Sequence, residues 1–236
     1  MPDAVQHLNE QLDRLEGKAV SVLLSGGVDS AVLLALISRR SRLVHPLYVR
    51  SGLFWEEAEL YWLRRFLQAL SAASVQPVAT LELPVSDLYN AHWSVTGLSV
   101  PDLNSEDEAV YLPGRNLLLL SKASIYCALQ GISAITLGPL QGNPFPDSTP
   151  SFFSSFRKAA SQALSCDLEV LTPLSHLSKV QVIQLGKDLP LELTFSCIQP
   201  RDNLHCGRCN KCWERQRAFR DAQCKDRTQY LSPSLA

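Results

Sequence analysis

The sequence has no apolar run approaching the ~18 residues that a helix needs to cross a bilayer, so no membrane span is expected. Residues 1–18 are polar and acidic and lack the apolar stretch of a secretory leader, so the expected location is cytosolic. Charged residues are sparse at 19%, while apolar residues reach 46%, which excludes a disordered or highly solvated chain. The formal net charge is only -1, which excludes a strong overall pull on nucleic acid. No internal repeat, low-complexity tract or clear interdomain linker is visible, so a solenoid is excluded. The Gly-x4-Gly-Lys-Ser/Thr spacing of a Walker phosphate loop is also missing. What remains is 236 residues, enough for one domain or one domain with a small appendage.

Short β-branched apolar runs alternate with helix-forming stretches. Strands are expected at 19–24, 43–49, 77–83, 134–137 and 168–171, and helices at 30–37, 56–70, 116–130, 151–164, 179–187 and 213–222. Residues 90–112 and 138–150 read as loops rich in Asn, Ser, Pro and Gly, long enough to be functional. This alternation predicts an α/β fold, a parallel five-stranded doubly wound sheet covered on both faces. Ligands of such sheets bind beyond the carboxyl ends of the strands. Residues 1–190 are assigned to this nucleotide-binding domain and residues 191–236 to a C-terminal zinc-binding and helical segment.

Ser25-Gly26-Gly27-Val28-Asp29-Ser30 lies between the first strand and the first expected helix. Two glycines let the backbone turn sharply and approach an anion closely. The opening N–H groups of the helix point outward without partners, and its dipole favours negative charge. Ser25 and Ser30 add hydroxyls. Asp29 repels phosphate directly and suits holding Mg²⁺ or bracing the loop. The alternative is an ordinary turn with Asp29 or Ser30 capping a helix. The string resembles the signature of the PP-loop ATPases, of the adenine nucleotide alpha hydrolase-like fold. That resemblance implies cleavage of ATP between its α and β phosphates, with transfer of AMP to a substrate.

Of seven cysteines, Cys197, Cys206, Cys209 and Cys212 cluster in a spacing that lets the chain wrap a tetrahedral ion. Zn²⁺ in a structural role is expected; disulfides and an iron–sulfur cluster are the alternatives. Four thiolates leave net negative charge, which His205, Arg208 and Lys211 are placed to offset. Cys127, Cys166 and Cys224 are not expected to be ligands. Residues 201–227 carry eight Lys or Arg against four Asp or Glu, a local basic surplus.

Tyr111-Leu112-Pro113-Gly114-Arg115-Asn116, Leu137-Gly138-Pro139, the Phe145–Phe152 stretch and Thr194-Phe195-Ser196-Cys197 extend the pattern. Together with the later cysteines they resemble the 7-cyano-7-deazaguanine synthase family, the QueC or ExsB branch of the PP-loop enzymes. The resemblance runs from about Val20 to Phe219. It implies an ATP-dependent ligase that adenylates 7-carboxy-7-deazaguanine, admits ammonia to form an amide, and activates the amide again to give the nitrile. It also implies a homodimer.

Asp29, Arg115 and Lys179 are the candidate catalytic residues. Arg115 offers a planar cationic fork for phosphate or carboxylate. Its alternative role is a solvated charge, awkwardly set at a helix start. Asn116 either caps that helix or binds substrate. Lys179 either reaches phosphate or is a surface lysine. Asp147 accepts hydrogen bonds from a guanine-like edge, holds Mg²⁺, or sits in a turn. Two segments depart from the family pattern: Tyr48-Val49-Arg50-Ser51-Gly52-Leu53, and Ser148-Thr149-Pro150-Ser151-Phe152, which lacks the family's Arg and Glu. Both should lie near the substrate, so a divergent member could adenylate another carboxylate. Rival readings are a tRNA-modifying PP-loop enzyme and a non-enzymatic, zinc-braced nucleotide-binding module. Nucleic acid and membrane are not expected partners.

Overall fold

The computed structural model describes residues 2–232; the last four residues assigned to the C-terminal segment, and Met1, lie outside them. Five strands form one sheet: β1 (Ala19–Leu23), β2 (Leu43–Arg50), β3 (Ala79–Glu82), β4 (Ala134–Thr136) and β5 (Glu169–Leu171). Every pairing is parallel and the spatial order is β3-β2-β1-β4-β5. The expected sheet is therefore present, with strand ends trimmed by one or two residues at most positions.

The helices are α1 (Pro2–Asp13), α2 (Val28–Ser38), α3 (Glu56–Leu70), α4 (Ser86–Tyr89), α5 (Trp93–Thr96), α6 (Arg115–Leu129), α7 (Pro150–Leu164), α8 (Lys179–Leu185) and α9 (Asn210–Asp221). Side chains alternate across a strand, so the inner strands feed two cores, whereas edge strand β3 packs Ala79 and Leu81 on one face only. Val20, Val22, Val44, Tyr48 and Ala134 face a core built with α1, α2, α3, α8 and α9. Leu23, Leu47, Val49 and Ile135 face the opposite core under α6 and α7. Burial on both faces is why these strands read as unbroken apolar runs.

Several elements differ from the sequence expectation, short helix α4 among them. Residues 90–112 are not a featureless loop: they carry α5 and a 3₁₀ turn at Asp107–Val110. Helix α1 had no counterpart; Leu8, Leu12 and Leu15 pack it onto the sheet at the helical spacing of a buried stripe. A third apolar cluster, including Trp55, Val110, Leu112, Phe195 and Cys197, lies under the cysteine segment. Among the described residues no helix is long and apolar enough to cross a membrane.

Leu34 of α2 is fully buried, whereas Leu129 of α6 is 78% exposed. Leu34→Ala is expected to lower the urea-derived unfolding free energy by about 2–5 kcal/mol. Leu129→Ala is expected to stay within about 0.5 kcal/mol of the parent.

Candidate active site and metal centre

From β1 the chain winds outward through β2 to β3, then returns to place β4 on the other side of β1. The crevice between the loops that leave β1 and β4 is thus a topological switch point, where open α/β sheets take their ligands. The two loops touch: a Cβ on Gly138 would lie 3.7 Å from the Cβ of Asp29.

The Ser25–Ser30 loop is braced from inside. The Ser30 hydroxyl donates to the Gly27 carbonyl at 3.1 Å, and the Ser25 and Ser30 hydroxyls lie 3.3 Å apart. Gly26 adopts φ +71°, and a Cβ there would press on the Glu59 carbonyl at 3.2 Å. Only glycine takes that conformation without strain. Gly27 is the N-cap of α2 and supplies no side-chain cap. The helix therefore opens toward the crevice with donors and a dipole suited to an anion. Behind the loop, the Phe195 N–H donates to the Gly26 carbonyl at 2.7 Å.

Asp29 faces a cation. Lys179, at the start of α8, donates to Asp29 Oδ2 at 2.6 Å. Its ammonium also lies 3.6 Å from Glu214, which Lys211 approaches to 2.7 Å. Burial draws the Lys179 pKa down, but the Asp29 and Glu214 carboxylates outweigh it and hold it above the ordinary lysine value. Burial likewise pushes Glu214 up, and Lys179 and Lys211 overcome this to bring it to about 2. Asp29 Oδ1 is buried with no hydrogen-bond partner. An orphaned carboxylate oxygen beside a phosphate loop fits a divalent cation with oxygen preference, such as Mg²⁺.

Arg115 opens α6, and its Nε is also buried without a partner. The dipole objection to an arginine there is met by Asp147, whose Oδ2 accepts from the Asn116 N–H at 2.8 Å. Asn116 Nδ2 donates to the Asp147 carbonyl at 3.0 Å. These two residues thus lock the N-terminus of α6 onto the loop after β4. The same loop carries Phe145, stacked on Tyr111 with ring centroids 5.0 Å apart. Trp55 and Trp93 stack at 5.7 Å on the facing side. A cavity of about 560 Å³ runs between these groups, past Asp29, Arg115 and Lys179. A second, of about 240 Å³, adjoins it and reaches Tyr48, Asn116 and Asp147. The first volume falls within the roughly 300–1,000 Å³ usual for small-molecule sites, and the second extends it.

Three site residues were missed from sequence. Glu59, 7% exposed, lines both cavities, and its Oε2 accepts from the Tyr48 hydroxyl at 2.6 Å. Burial raises its carboxyl to about 8, against the nearby Arg115 charge. Arg215 is 1% exposed and donates to Thr194, Ser196, Thr228 and the Leu191 carbonyl. Glu214 joins Lys179 to Lys211. Both Glu59 and Arg215 are charged residues on an apolar helix face, a pattern visible in principle.

The two divergent segments have local jobs. Glu56 accepts from the Ser51 and Gly52 N–H groups at 2.6 and 2.9 Å, and Arg50 pairs with Glu57. Thr149 caps α7 by accepting from the Phe152 N–H at 3.2 Å.

Cys197, Cys206, Cys209 and Cys212 bring their sulfurs within 4.8 Å of one another. The Cys206–Cys212 and Cys197–Cys209 sulfurs lie 3.9 Å apart. Four sulfurs ~2.3 Å from a tetrahedral ion stand ~3.8 Å apart, so the set fits one Zn²⁺. A multi-iron cluster, with each sulfur on a different iron, needs a wider set. Backbone N–H groups of Gln199 and Cys206 donate to the Cys197 sulfur, and those of Arg208 and Cys209 to the Cys206 sulfur. Of the side chains placed to offset the thiolate charge, His205 does not carry one. His205 is 1% exposed, and burial, then Arg215, holds its pKa well below the usual value, so it is neutral. Its Nε2 accepts from the Ser196 N–H. Arg208 Nε donates to Ser232 and Lys211 pairs with Glu214. The dipoles that meet the sulfurs are therefore main-chain ones.

The family profile described as queuosine biosynthesis protein QueC matches residues 18–223. A 7-cyano-7-deazaguanine synthase of Anaeromyxobacter dehalogenans is 31% identical over 230 residues, covering 91% of this chain and 97% of that protein. A 7-cyano-7-deazaguanine synthase of Alcanivorax borkumensis is 33% identical, covering 90% of this chain and 99% of that protein. In fold, the chain resembles a 4-thiouridine synthetase solved with RNA and bound ATP. That likeness has a TM-score of 0.50 and 17% identity, and covers 88% of this chain and 51% of the synthetase.

Cys209→Ser is expected to abolish stoichiometric zinc and lower solubility, read by metal analysis of the purified protein; full metal content would contradict the ligand set. Glu59 gives a pH signature. An unfolded Glu ionises near ~4.3, whereas the folded site holds its proton to about 8. The folded state binds the extra proton between these values, so stability falls as pH rises through that window. Glu59→Gln should remove this slope, read as the difference in urea midpoint between the two proteins from pH 5 to pH 9.

Proposed function

The chain belongs to the queuosine biosynthesis protein QueC family, and on that premise we propose that it converts 7-carboxy-7-deazaguanine and ammonia to 7-cyano-7-deazaguanine, driven by ATP. One observation carries this reading above the others. An orphaned Asp29 oxygen, a paired Lys179 and an orphaned Arg115 nitrogen converge on the open N-terminus of α2 at the switch point of the sheet.

In this reading the ATP phosphates lie against the Ser25–Ser30 loop and the start of α2. The substrate carboxylate oxygen attacks the α-phosphorus, pyrophosphate leaves, and an acyl adenylate forms. Ammonia adds to the acyl carbon and AMP departs with the C–O bond pair, because it is a far better leaving group than hydroxide. The amide oxygen then attacks a second ATP. Loss of AMP and a proton leaves the nitrile. Each adenylation brings two anions together, and fixed cations in a partly dry crevice are what lowers that barrier. Arg115 and Lys179 supply them, while Asp29 orients Lys179. Mg²⁺, held by Asp29, would add charge neutralisation between phosphate and carboxylate. The flat faces of Trp55, Trp93, Tyr111 and Phe145 suit a planar heterocycle. Asn116 and Asp147 fix the α6 end from which Arg115 projects. Zn²⁺ on the four cysteines is structural, and the enzyme works in the cytosol as a homodimer.

Incubation with ATP, Mg²⁺, ammonium and 7-carboxy-7-deazaguanine should give the nitrile mass and two AMP per nitrile. An amide as sole product would identify a ligase that stops halfway. Asp29→Ala is expected to reduce turnover by ~100-fold or more; full turnover in that variant would contradict the assignment of Asp29.

A further inference from the structure

We propose that Glu59 is the proton acceptor that turns ammonium into the nucleophile ammonia at this site. The proposal rests on the ligase reading above and extends it to a step that none of the Ser25–Ser30 loop, Arg115 or Lys179 performs. The nitrogen donor is mostly ammonium at neutral pH. Ammonium has no lone pair, so a proton must leave before nitrogen can attack the acyl carbon. The acceptor has to be a base inside the cavity, separate from the cations that grip phosphate.

Glu59 meets these demands by position. It lies on α3, whose first turn sits under the Gly26 turn, and its backbone carbonyl is the atom that a Gly26 Cβ would meet. Its carboxyl lines both cavities, between the phosphate-loop side at Ser25 and Asp29 and the Arg115 side. Tyr48 from β2 donates to Oε2 at 2.6 Å, and the Trp55 side chain also donates to the carboxyl; the two donors fix it at the cavity wall. The groups that face it are Tyr48 from β2, Arg115 from α6, Trp55 just before α3, and Glu56 on its own helix. Among the described residues no Lys, Arg or His lies within salt-bridge distance of it, unlike Asp29 and Glu214. An acid buried here without an ionic partner costs stability, and that cost is characteristic of functional positions. Its elevated proton affinity, near 8, also brings it closer to that of ammonium than an ordinary carboxylate.

The step balances. The Glu59 carboxylate takes one proton from ammonium, giving ammonia and the neutral acid. Ammonia adds to the acyl adenylate. As the C–O bond breaks, AMP leaves with the electron pair, and the second proton shed by nitrogen goes to the departing phosphate oxygen. Glu59 returns its proton to water before the next turnover.

The test compares two nucleophiles on the full-length protein. Hydroxylamine is uncharged at pH 7 and needs no prior proton removal. With Glu59→Gln, substrate-dependent ATP–pyrophosphate exchange and hydroxamate formation from hydroxylamine should stay within about threefold of the parent. Amide formation from ammonium should fall by ~100-fold, the lower range for general acid–base catalysis. Glu59→Asp should recover part of the ammonium reaction. Equal loss with both nucleophiles, loss of exchange, or an undiminished ammonium reaction would each overturn the assignment. Parent protein without any exchange would instead defeat the ligase reading, and this proposal with it.

Discussion

The Phe195 N–H holds the Gly26 carbonyl at 2.7 Å, and a few residues on, Cys197 begins the metal set. The Asp29–Lys179–Glu214–Lys211 charge chain makes a second tie between the same two regions, because Glu214 and Lys211 flank Cys212 on α9. The glycine turn at positions 26 and 27 has little conformational preference of its own. What holds it open toward the crevice is the packing behind it. Four close sulfurs in an ion-sized tetrahedron, and the apolar cluster of Trp55, Phe195 and Ile198 around them, give that backing its rigidity. Metal and phosphate loop are thus parts of one support, although no cysteine lies in the crevice wall.

The same packing governs the charges. Arg115 and Lys179 are positive at neutral pH, while Glu59, similarly enclosed, is driven toward its neutral form. The difference lies in partners. Lys179 has two carboxylates against it, and they outweigh its loss of water. Glu59 has only neutral donors in hydrogen-bond contact, the Tyr48 hydroxyl and the Trp55 side chain, and Arg115 acts on it from beyond ion-pair distance. Two acids close to one loop are therefore shifted in opposite directions, Glu214 down to about 2 and Glu59 up to about 8. This is how one crevice can hold anions and still contain a group able to exchange a proton near neutrality.

Much of this was legible in the residues because it is local. The Ser25–Ser30 loop, the four-cysteine spacing and the short apolar, β-branched strand runs each declare themselves within a short window. Helix α3 was bounded at Glu56 and Leu70 from its composition alone. Asn116 and Asp147 were read with an open choice of roles, and the fold shows them bonded to each other across 31 positions. Sequence distance hides such a pair. His205 was expected to bring charge to the thiolates; enclosure by Phe195 and Tyr230 withdraws its water and leaves it neutral. Much of the basic surplus after Arg201 proved to be spoken for, since Arg215 is buried and Lys211 is paired.

Strand and helix order, the glycine turn after β1 and the grouping of the four cysteines were determined by the sequence alone, because backbone preference and short-range spacing specify them. Which side of β1 each later strand takes, and hence where the crevice opens, was decided only by the tertiary structure. So were the raised proton affinity of Glu59 and the pairing of Asp29 with Lys179. Their physical reason is shared: desolvation and Coulomb interaction depend on distance in space, and these partners come from segments of chain that only the folded sheet brings together.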